Sequence, residues 1–200
     1  MIFRLLPLLI VLCGCGFLHQ SSTETPGPQA TTTGEGTTPR VHHTNGSGYA
    51  LLFDLVGDEK NVSKLLIVKR ERAELRDLIR DISQRCGQAH KELEGFGGAD
   101  RTLNLKAHGL PAVESETRAA IAKTKAKQLL TESGKEFELR LLISQHEALT
   151  YGAHLAATVA KDETNPQRAQ FLHQLSSDLT ALEQRVTSMI LANYNWPERR

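Results

Sequence analysis

The chain has 200 residues, 40% of them hydrophobic but only 5% aromatic, which suits one modest globular domain plus some non-globular chain. A core so poor in rings must rest on Leu, Ile, Val and Ala, which favours helices over a β-sandwich. Formal charge is +1, and it falls to zero if Arg4 is removed with the leader described below, so there is no electrostatic case for nucleic acid as the main partner.

The first stretch, MIFRLLPLLIVLCGCGFLHQ, has one Arg, an apolar run from Leu5 to Cys13, then small residues. The run is far shorter than the roughly 20 residues that span a bilayer, so it reads as a signal-peptide core. Its end, Leu12-Cys13-Gly14-Cys15, resembles the bacterial lipoprotein lipobox. The resemblance implies a signal peptide over residues 1–14, cleavage before Cys15, and lipidation of Cys15 as a stable membrane anchor. Gly16 after the lipidated Cys, by the same resemblance, favours the periplasmic face of the outer membrane in a host that has one. Cys86 is then the only free thiol, and no intramolecular disulfide can form.

Residues 15–48 are rich in Thr, Ser, Gly and Pro with almost no apolar periodicity, and read as a disordered tether. A flexible chain of that length spans about 30 Å root-mean-square, enough to lift a domain off the headgroups. His42 and His43 lack a third ligand nearby.

A helical domain is expected over 49–195, with a short tail at 196–200. Val62, Leu65, Val68, Leu75, Ile79, Ile82, Cys86, Ala89 and Leu93 step by three and four, with one skipped turn at Arg72. The run predicts one long helix, or two with a kink near Arg70. Asp58 marks its start and Gly95 to Gly98 its stop. A loop closing at Pro111 follows. Further helices are predicted over Val113 to Thr131, Lys135 to Lys161, and Asn165 to Asn195 with Pro166 in its first turn. No segment shows useful strand alternation. The expected fold is all-α, an up-down four-helix bundle.

The order of landmarks carries a resemblance. Gly109-Leu-Pro111, a helix, Gly134-Lys-Glu-Phe-Glu138, then KDETNPQRAQFL and Leu179 to Arg185 are similar to the family catalogued as domain of unknown function 4142. That resemblance covers about Leu51 to Met189, puts Glu59 where the family's first helix carries Glu, and implies a ferritin-like envelope protein. The family's recurrent histidines, however, fall on Cys86, Leu149 and Arg185. Whatever chemistry they perform in relatives is not carried here in the same way.

The chemical motifs fail one by one. A ferritin-type di-iron site needs Glu-x-x-His on two helices, and the sequence has none. His146-Glu147 is followed by Thr150 where a zincin needs its second His. No Gly-x-Ser-x-Gly, haem or phosphate-loop motif occurs, so an enzyme is not expected, and neither is a cofactor. No metal site is expected either. The weak candidates are Cys86 with His90, an i, i+4 pair on one helical face, completed by His146 or His173. Cys86 sits in the apolar stripe, where a free thiol behaves as a small hydrophobe. His146 shares a stripe with Leu142 and Leu149 and is expected to face the core or its edge, while His154 sits at the polar boundary. Arg72, Arg76 and Arg80 form a basic ridge interleaved with Glu74, Asp77 and Asp81, which reads as a solvated face with pairs such as Arg70 with Glu74 and Asp81 with Arg85. Trp196 in the tail covers a bundle end or meets a membrane or partner.

These features lead to a lipid-anchored, non-catalytic interaction or scaffold module of the cell envelope, with a defined envelope protein as its partner. The alternative is a ferritin-like metal-binding or stress-related envelope protein with an atypical ligand set.

Overall fold

The structure, a computed structural model, describes residues 44–67, 69 and 71–193. The leader, Cys15, His42, His43, Val68, Arg70 and Trp196 lie outside the described residues. The chain divides into two units, Met1–His42 and His43–Arg200, and all described residues belong to the second.

Among the described residues five α-helices form: α1 Thr44–Glu59, α2 Ala73–Ala99, α3 Ala112–Thr131, α4 Gly134–Lys161 and α5 Pro166–Asn193. A 3₁₀ segment, Val62–Ile67, follows α1. Among the described residues there is no strand. The all-α expectation holds, but three boundaries change.

First, the tether expected to reach residue 48 is already helical from Thr44. In α1, Tyr49, Leu52 and Val56 recur at three and four residues and are buried completely. Gly48, expected as linker, lies so close to α4 that a Cβ there would stand 2.5 Å from Val159 Cγ2. Gly152 on α4 does the same in return: its Cβ would meet Leu55 at 2.6 Å. Two glycines thus let the α1 and α4 backbones approach closely, which no larger side chain would permit.

Second, of the two alternatives read for that run, the single long helix starting at Asp58 does not form, and an interruption before Ala73 separates two helical pieces instead. Asp58 lies in the last turn of α1, and the chain breaks between Glu59 and Ala73. Ser83 Oγ donates to the Lys60 carbonyl and bonds Ser63 Oγ at 2.9 Å, so the 3₁₀ segment lies along α2. Third, Gly95 to Gly98 do not stop α2, which runs on to Ala99. Its stripe of Leu75, Leu78, Ile79, Ile82, Cys86, Ala89 and Leu93 is buried along its length.

The core lies among α1, α2, α4 and α5, while α3 contributes only Leu129 to it. Cross-helix pairs show the directions. Ser63 meets Ser83 and Gly57 approaches His90, so the chain through α1 and the 3₁₀ segment runs antiparallel to α2. Gly48 meets Val159 and Leu55 meets Gly152, so α1 is also antiparallel to α4. Arg85 pairs with Asp178 and Asp81 with Arg185, which sets α5 antiparallel to α2. Helices α2 and α4 therefore run the same way, and α3 carries the chain back between them. The expected simple up-down succession is replaced by up, down, return crossover, down, up. The helix predicted at 113–131 forms, but its place in the bundle is taken by α1.

Candidate functional site

Two polar clusters tie the ends of the bundle. At one end Tyr49, fully buried on α1, donates its hydroxyl to Glu163 Oε2. Arg168 at the start of α5 bridges Glu163 Oε1 at 3.0 Å and Asp100 Oδ2 at 2.6 Å. This joins α1, the residue after α2, the α4–α5 loop and α5. Burial and the neighbouring Glu163 push the Tyr49 hydroxyl well above its ordinary range. Thr102 and Arg168 hold the Asp100 carboxyl down at about 2. These contacts tie the segments at this end together, although the buried Nε of Arg168 itself has no hydrogen-bond partner among the described residues.

At the other end Arg72 reaches Glu138 on α4 at 3.1 Å and donates to Asn193 at the end of α5. Glu71, buried beside Glu138, has its carboxyl raised by burial and by that second carboxyl. The basic ridge is therefore only partly a solvated face. Arg80 pairs locally with Asp77 at 3.8 Å, but Asp81 and Arg85 do not pair with each other as expected: both reach across to α5. Interhelical partners win because α5 lies alongside that face. An open groove of about 640 Å³ remains between α2 and α5, bounded by Arg72, Asp77, Leu78, Gln184 and Met189.

The residues weighed as metal ligands are separated. Cys86 is buried in the core with its thiol pushed up to about 12 by burial and then by Glu59. His90 stacks on Phe53 and accepts a hydrogen bond on Nε2 from the Lys60 ammonium at 3.1 Å. Burial and that ammonium hold its imidazole below the ordinary histidine range, and a fixed positive charge at the ring nitrogen opposes a metal ion there. His146 does not meet Cys86 or His90. It lies in the α4–α5 seam, with Nδ1 2.8 Å from Glu183 Oε1 and 3.2 Å from Thr187 Oγ1. His154 and His173 are exposed. Among the described residues no three His, Cys, Asp or Glu side chains are gathered in a way that could hold a metal ion.

Of the two places read for His146, core or edge, the structure gives it the edge, and the inward position on α4 is taken by Gln145, which is only 3% exposed. The buried positions of α4 are Phe137, Leu141, Leu142, Gln145, Leu149, Gly152, Ala153, Ala156, Val159 and Ala160. His146 stands about 90° from the centre of that stripe, whereas Gln145 lies close to it. Including Phe137, Leu141 and Gly152 in the helical wheel was the signal that would have found it. Gln145 faces the carboxyl of Glu59, whose Oε2 is closed off from solvent.

Helix α3 is the outlying element. It lies along α4, with Lys125 paired to Glu147 and Arg118 over the Tyr151 ring at 5.7 Å. The Lys69 ammonium caps it by bonding the carbonyls of Leu130 and Glu132. Val113 and Ile121 on α3, with Ile143 and Tyr151 on α4, are exposed large hydrophobic residues.

No protein-family model, curated protein or solved structure matches this chain. Among the described residues no helix is long and apolar enough to cross a membrane.

Proposed function

We propose that the protein is a non-catalytic interaction module of the cell envelope, tethered by lipid on Cys15 and working through the α3–α4 face. The observation that carries the interaction reading is α3 itself. It is a helix of 20 residues with a single buried side chain, Leu129, and it leaves Val113, Ile121, Ile143 and Tyr151 uncovered. Exposed apolar groups interspersed with charge on two adjoining helices, here with Arg118, Lys125 and Glu147, suit a protein partner. The anchor rests on the Leu12-Cys13-Gly14-Cys15 pattern.

The alternative, a ferritin-like metal-binding protein, draws support from topology: four-helix folds of that type also use one long crossover. It draws none from His90, whose ring nitrogen accepts from Lys60.

The test has two arms. Wild-type protein should partition into the detergent phase and Cys15→Ala should not; a wild-type protein found in the aqueous phase removes the anchor. A photo-crosslinker placed at Val113 in cells should capture one envelope protein, and Ile121→Glu should cut the yield at least about tenfold, the scale of a central interface residue. Equal capture from the opposite α2 face at Glu74 overturns the assignment to α3.

A further inference from the structure

Glu59 ends α1, and its carboxyl stands in hydrogen-bonding position with the side chain of Gln145 on α4. Oε2 of Glu59 and Oε1 of Gln145 are both closed to solvent, and neither has a hydrogen-bond partner among the described residues. This is a specific defect. A carboxylate offers acceptors only, while a carboxamide has one acceptor oxygen and two N–H donors. With Glu59 ionised, the Gln145 amide N–H can serve one carboxylate oxygen, but one oxygen on each side chain stays bare in the core. Buried polar atoms are rarely left in that state. A single proton repairs both. Placed on Glu59 Oε2 it donates to Gln145 Oε1, while Gln145 Nε2–H donates to Glu59 Oε1, closing a ring of two hydrogen bonds.

We propose that Glu59 and Gln145 bind one solvent-derived proton as a neutral acid–amide pair, so that docking of the end of α1 onto α4 is linked to proton uptake. The surroundings agree. Asp58, next to Glu59 on α1, adds a like charge that favours the neutral acid. The Cys86 thiol on α2 is protonated and carries no charge to stabilise the carboxylate. Lys125 on α3 acts the other way, but its ammonium is already paired with Glu147. From α4 the facing group is the neutral Gln145, whose N–H bond to the carboxyl acts the other way and is outweighed by burial. Burial, the largest influence, holds the Glu59 carboxyl up at about 7.

The test is a side-chain NMR titration of the full chain. The Glu59 carboxyl carbon, assigned by its loss in Glu59→Gln, should titrate near 7. The Gln145 side-chain amide nitrogen should shift with the same midpoint, because its partner changes from acid to carboxylate. In Glu59→Gln the Gln145 signals should stay still across that range, since two amides satisfy each other at any pH. A Glu59 carbon titrating near the ordinary 4.5, with motionless Gln145 signals, overturns the pair and indicates an ionised carboxylate served by a trapped water. A stoichiometric metal ion in the purified protein, whose removal moves both signals, overturns it in favour of a cation. If Glu59→Gln does not fold, through-bond assignment in the wild-type protein lets the same titration decide.

Discussion

Arg168 has the most demanding position of any single residue described here. Glu163 beside it exposes only 2% of its side chain, and Arg168 is the only cation shown bonded to it. Removing the guanidinium leaves a carboxylate inside the bundle end without a counter-charge, whereas removing the Tyr49 hydroxyl deletes one neutral donor. Arg168→Ala should therefore cost about 3–5 kcal/mol, and Tyr49→Phe about 1–2 kcal/mol, both measured by urea denaturation. Similar losses from the two variants would show that Glu163 finds another cation. None of this network was legible in the sequence. Tyr49, Asp100, Glu163 and Arg168 are scattered over four segments, and only the antiparallel run of α1 against α4 brings Tyr49 to Glu163. Cys86 was legible, because a thiol within an apolar stripe of step three and four has only one place to go.

At the scale of elements, α3 sets the topology without building the core. Helix α2 ends beside Arg168 and α4 begins at the far end beside Arg72 and Glu138, so the chain must travel the length of the bundle between them. Twenty helical residues cover about 30 Å of that distance. A crossover needs length and solubility rather than an apolar face, and α3 accordingly buries one residue. Ala120→Pro, on the exposed surface of α3, should then reduce helical circular dichroism while lowering bundle stability by less than about 1 kcal/mol. Ala156→Pro, fully buried in α4, should cost about 3 kcal/mol or more. Comparable losses would mean that α3 is part of the cooperative core. Sequence periodicity located α4 and α5 closely, since long regular stripes are strong signals. It missed the first five residues of α1, Thr44 to Gly48, because Thr, Gly and Ser there resemble linker composition, whereas Gly48 packs closely on Val159.

For the whole molecule, the shifted carboxyls predict an unusual pH profile. Asp58 is raised to about 6 and Glu59 to about 7, both chiefly by burial, and Glu71 is raised as well. Each takes up a proton more readily folded than unfolded, so stability falls as pH rises from about 4.5 to about 7 and then levels off until, above about 9, the raised Cys86 thiol begins to lower it again. His90, lowered by burial, opposes this below its ordinary 6.5, one group against those three and Asp54, whose carboxyl burial also raises. Asp100 is held down at about 2, so its contribution, present above 3.8, is lost as pH falls towards 2. Glu163 is lowered and acts in the same direction. The urea midpoint should accordingly be higher at pH 5 than at pH 8, and Glu59→Gln should flatten the difference. A midpoint that rises towards pH 8 would contradict the burial of these carboxyls.

The sequence by itself determined the helical class, the extents of α3, α4 and α5 to within a few residues and the burial of Cys86. Those features are local: periodicity and helix-breaking residues are written within a few turns of chain. Only the tertiary structure decided that α1 rather than α3 completes the bundle, that Gln145 rather than His146 points inward, and that Glu59 faces Gln145. Each of these depends on which helix lies beside which. That choice rests on backbone approach at Gly48 and Gly152 and on the crossover between α2 and α4, contacts between residues far apart in the chain.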